Sequence, residues 1–62
     1  MVYDMIVKYC KENDISISAF EKKCGFGNGT VGKWNGDSNP SLESLEIISK
    51  HTGIDLKKLI DA

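Results

Sequence analysis

Ile17-Ser18-Ala19-Phe20-Glu21-Lys22-Lys23-Cys24-Gly25-Phe26-Gly27-Asn28-Gly29-Thr30-Val31-Gly32-Lys33-Trp34 is the stretch whose reading decides the fold. Counted from Ile17, apolar side chains stand at the first, fourth, eighth, tenth, fifteenth and eighteenth positions, and Gly25 is the ninth. That is the pattern of two helices crossing at roughly 100° about a tight turn. The facing residues meet only at fixed offsets, and the turn residue has to reach the left-handed region. The second half is ambiguous when read locally. Each glycine within Gly27 to Trp34 would cost about 1 kcal/mol inside a helix. Asn28-Gly29 is also the strongest short hairpin signal. Propensity therefore favours a loop or hairpin. The three-residue spacing of Val31 and Trp34, with Phe26 five before Val31, favours a short helix pinned into a core.

Outward from this stretch, the turn signals are Asn13-Asp14, Gly25 to Gly29, Asn35 to Pro40, and Gly53. The first segment, Val2 to about Asn13, carries Val2, Ile6, Tyr9 and Cys10 on one helical face. Asp4 in its first turn suits the positive end of the helix dipole. The second helix starts after Ser16 or Ser18. Ser18 and Glu21 have capping-box spacing. With Ser16 as N-cap, however, Ile15 and Phe20 form a hydrophobic staple, so Ser16 is favoured. This helix runs to about Cys24 and stops at Gly25.

Downstream, Pro40 precedes Ser41 as N-cap, with Glu43 in the first turn. Leu42, Leu45, Ile48 and Thr52 make an apolar stripe, with Ile47 at its edge. Lys50 and His51 lie in the last turn, where cations are favoured. Gly53 then ends the helix and Ile54 supplies an apolar contact. Asp55 caps a short fifth helix in which Leu56, Leu59 and Ile60 face inward. The expected fold is all-α: a five-helix bundle containing a helix-turn-helix, one domain over residues 1–62.

Composition narrows the function. The 62 residues are 40% apolar, too many for a disordered chain. No run approaches the ~20 apolar residues that span a bilayer. Met1-Val2-Tyr3-Asp4 is not the start of a secretory signal, so the cytoplasm is the expected compartment. Cys10, Cys24 and His51 match no metal-ligand spacing, and two cysteines are fewer than a disulfide-stapled domain carries. Buried thiols are the default. The chain has eight Lys, nine Asp or Glu, no Arg and a net charge of -1. Only local clustering of the lysines can therefore favour a polyanion. The glycine run Gly25 to Gly29 follows no strand and lacks the Lys-Ser/Thr ending of a phosphate-binding loop. There is no nucleophile-base pair and no carboxylate cluster, so no enzyme, cofactor, metal or small-molecule substrate is expected.

The chain resembles the phage-repressor/Cro-type helix-turn-helix domains (the XRE family) over nearly its whole length. The resemblance is carried by Ile15 to Lys23 with Gly25 to Trp34, by Pro40-Ser41-Leu42-Glu43-Ser44-Leu45, and by Gly53-Ile54-Asp55-Leu56. It implies a lambda-repressor-like five-helix fold with a recognition helix, here about Asn28 to Asn35, in the major groove. There are departures from the family pattern. Glu21 stands where many members have a small residue, and its head is expected to angle to solvent. Ile17 stands where many have a phosphate-binding Gln. Without Arg, no bidentate contact to guanine is available from that side chain.

These readings define an expected interface of Ser16, Ile17, Ser18, Lys22, Gly27, Asn28, Gly29, Thr30, Lys33, Asn35 and Ser38. The amides near Ser16 to Ser18 would meet a phosphate. Asn28, Thr30 and Lys33 would read base edges, with Lys22, Asn35 and Ser38 near phosphates. Each has a plainer alternative. Asn28 is also a natural helix cap, Thr30 can simply face solvent, and Lys22-Lys23 is an ordinary solvated face. Trp34 reads as core, and His51 as a cation at a helix C-terminus. The expected function is sequence-specific binding of double-stranded DNA as a transcriptional repressor of phage or mobile-element type. The expected active form is a homodimer on a two-fold operator. The alternative is a helical, antitoxin-like protein-interaction module.

Overall fold

The computed structural model describes all 62 residues. Five helices follow in order: α1 (Val2–Glu12), α2 (Ile17–Cys24), α3 (Thr30–Lys33), α4 (Leu42–Thr52) and α5 (Leu56–Ile60). Helix α2 is the hub, in contact with α1, α3 and α4, while α5 packs on α4. Phe20 is fully buried, with Ile6, Ile48, Val31 and Leu59 around it in one core. Each such side chain gains about 1.5–3 kcal/mol over an exposed one. Tyr9 meets Phe20 edge-on at 5.8 Å, which ties α1 to α2.

Local sequence sets most boundaries. The Ser16 hydroxyl accepts the Ala19 amide at 3.0 Å, so Ser16 and not Ser18 caps α2. Gly25, at φ 80°, ends that helix in a Schellman motif. Its N–H donates to Lys22, and the Phe26 N–H donates to the Glu21 carbonyl at 2.8 Å. The same motif ends α1, with Asp14 at φ 54° in the glycine's place. Ser41 caps α4 by accepting the Ser44 amide, and Asp55 caps α5 by accepting the Lys57 amide. At the end of α4, Gly53 donates to Ser49 and the Thr52 hydroxyl accepts the Ile54 amide.

Four expectations need correction. Glu21 does not reach solvent: it is 3% exposed. The third helix is one turn, Thr30–Lys33, and not Asn28 to Asn35. Its hydrogen-bonded turns run on through Asp37, with Gly36 at φ 111°. Leu42 is 58% exposed, because α4 turns Leu45 and Ile48, not Leu42, into the core. Ile60 is 53% exposed, because Leu59 takes the inward face of a five-residue helix.

Candidate nucleic-acid interface

The Asn28-Gly29 pair makes a turn, but between helices rather than strands. The Thr30 N–H donates to the Gly27 carbonyl at 3.1 Å, closing a four-residue turn. Gly29 is its third residue, at φ 86° and ψ -1°, the type II geometry that requires glycine there. Gly29, not Asn28, is therefore the residue preceding α3. Asn28 caps nothing: its side chain is exposed and makes no hydrogen bond within the chain.

What holds this turn is Glu21. Its Oε1 accepts the Gly29 amide at 3.2 Å and its Oε2 accepts the Val31 amide at 2.8 Å. A buried carboxylate is tolerated only when hydrogen-bonded, and here both oxygens are engaged at the positive end of α3. Val31 and Trp34 anchor the remainder, both buried; Phe26 stacks edge-on against Trp34. No local rule points to Glu21. Its partners lie eight and ten residues away, and only the crossing of α2 and α3 brings them together.

The residues expected to face DNA divide as follows. Ser16, Ser18, Lys22, Gly27, Asn28, Gly29, Lys33, Asn35 and Ser38 are exposed, whereas Ile17 and Thr30 are half-buried. Ile17 packs on the core, so only its amide is available. With Ala19 bonded to Ser16, the Ile17 and Ser18 amides at the start of α2 have no partner in the chain. No lysine is paired with a carboxylate. Between Ile15 and Gly36 lie Lys22, Lys23 and Lys33, and the one acidic residue is the internally bonded Glu21. The excess of negative charge thus lies elsewhere on the molecule.

A family model described as helix-turn-helix matches residues 6–59. The chain belongs to the Cro/repressor-type (XRE) helix-turn-helix family. It is a DNA-binding regulator of that type. In this helix-turn-helix the first helix is α2, the turn starts at Gly25 and the second helix is α3. No match is found among curated proteins or among solved structures. No helix is long and apolar enough to cross a membrane.

Away from the helix-turn-helix, both cysteines are free thiols buried in the core. Burial pushes the Cys10 thiol above its ordinary range. Burial does the same to Cys24, with the Lys23 ammonium pulling the other way and Cys10 adding to the rise.

Proposed function

We propose that the protein is a transcriptional repressor of phage or mobile-element type, acting in the cytoplasm as a homodimer on a two-fold operator in double-stranded DNA. The observation that carries this reading is that Asn28, Lys22 and Lys33 of the helix-turn-helix are each exposed and have no side-chain partner in the chain. Asn28, Thr30 and Lys33 read base edges in the major groove, with Gly27 and Gly29 letting the backbone come close. The Ile17 and Ser18 amides, with the Ser16 and Ser18 hydroxyls, Lys22, Asn35 and Ser38, hold phosphates. The bound dimer blocks polymerase. With no Arg, affinity per monomer is modest and dimerisation matters.

The second reading, a helical interaction module, is favoured by the net charge of -1. Titration against random duplex and genomic fragments at two salt concentrations separates the two. Binding with a steep salt slope supports the regulator, and no binding to any duplex at low salt supports the module.

A further inference from the structure

Glu21 is a buried charge whose role goes beyond filling space. Every other Asp and Glu is exposed. Helix α3 is four residues long, contains Gly32 and has no side-chain cap of its own except this distant carboxylate. A single turn of such composition does not persist unaided. Val31 and Trp34 pin the helix by burial. Within the turn before it, a Cβ built on Gly29 would meet nothing within 4 Å. Asn28 is exposed. The carboxylate is thus the side chain that tethers the Gly27–Thr30 turn to α2. Its main-chain carbonyl also takes the Phe26 amide, so one residue holds both ends of the connection.

We propose that Glu21 is the positioning residue of the DNA-reading segment, its carboxylate setting where Asn28 and Thr30 stand relative to the phosphate-holding start of α2. The inference rests on the regulator reading above. It also assigns the α3 amides to an internal anion, so DNA phosphate is held by α2 and the lysines instead. Specific readout needs both sets of contacts in one register, whereas non-specific binding needs only the phosphate set.

The test uses Glu21→Gln, which keeps the shape but loses the charge and one acceptor, and Glu21→Asp, which keeps the charge but is one methylene short. Val31→Ala serves as a destabilised control with the carboxylate intact. The probes are the duplex that wild type enriches from a random pool and a scrambled duplex of equal length. Sucrose is added if a variant melts near the assay temperature. Glu21→Gln is expected to lower the selected-to-scrambled affinity ratio about tenfold, with Glu21→Asp between it and wild type. Scrambled binding stays within about twofold. Amide exchange at Gly29 and Val31 quickens relative to the core amide of Ile48, which Val31→Ala does not reproduce at Gly29. An unchanged ratio, or uniform quickening of all amides, means Glu21 is merely structural and overturns the inference alone. A wild type that enriches no sequence overturns the regulator reading and the inference with it.

Discussion

Phe26 stands edge-on to Trp34, with ring centroids 5.5 Å apart and planes at 83°. The residue after the turn glycine is thereby joined to the residue that closes α3. The residue after Gly25 and α3 share one hydrophobic anchor, and Trp34, at 6% exposed, is its buried half. Trp34→Ala is expected to cost about 3–5 kcal/mol. That is comparable with the whole stability of so small a domain. Urea and thermal melts followed by circular dichroism check it. A variant melting within a few degrees of wild type would show that the anchor is dispensable.

Gly32 makes the opposite prediction. It lies in α3 with a φ that any residue adopts, and an added Cβ would meet nothing within 4 Å. Alanine there removes unfolded-state freedom and favours helix, so Gly32→Ala should raise stability by about 0.5–1 kcal/mol. Denaturant midpoints measure this directly. A fall in midpoint would mean that the segment depends on glycine's flexibility.

The thiols of Cys10 and Cys24 should be reduced and slow to alkylate in the native state, because burial disfavours the thiolate and blocks access. The same burial links folding to pH. Both thiols are raised in the folded chain, which keeps protons that the unfolded chain releases. Their contribution is whole below about pH 8.5 and is lost as pH rises through the folded-state values. Melting temperature should therefore decline above that point, and a C10A/C24A double variant should decline less. Fast stoichiometric labelling without denaturant would contradict the burial.

Reading and holding should separate by mutation. Asn28→Ala and Lys33→Ala are each expected to lower affinity for the selected duplex by about 1–3 kcal/mol, with less effect on random DNA. Lys22→Ala should weaken both alike and reduce the salt slope by about 1. Selection from a random pool with each variant decides the matter. If Asn28→Ala and Lys33→Ala enrich the wild-type sequence with undiminished strength, the turn and α3 are not the reader.

The features legible in the sequence alone are those whose partners lie within a turn or so of the chain. Ser16 as the cap of α2, Ser41 and Asp55 as later caps, and Gly25 and Gly53 as stops each bond within about five residues. The helix-turn-helix spacing from Phe20 to Trp34 likewise placed its buried anchors correctly. Tertiary structure decided what depends on distant neighbours. Periodicity marks an apolar face but not how far a neighbouring helix covers it, so Leu42 and Ile60 stay exposed. The segment after Gly27 has propensity for a loop, and it becomes a helix for a single turn because Val31 and Trp34 gain burial there. Glu21 read as a misfit needing solvent, since a lone carboxylate is costly to bury. Only when α2 crosses α3 do the Gly29 and Val31 amides arrive to satisfy it, turning that misfit into the cap of α3.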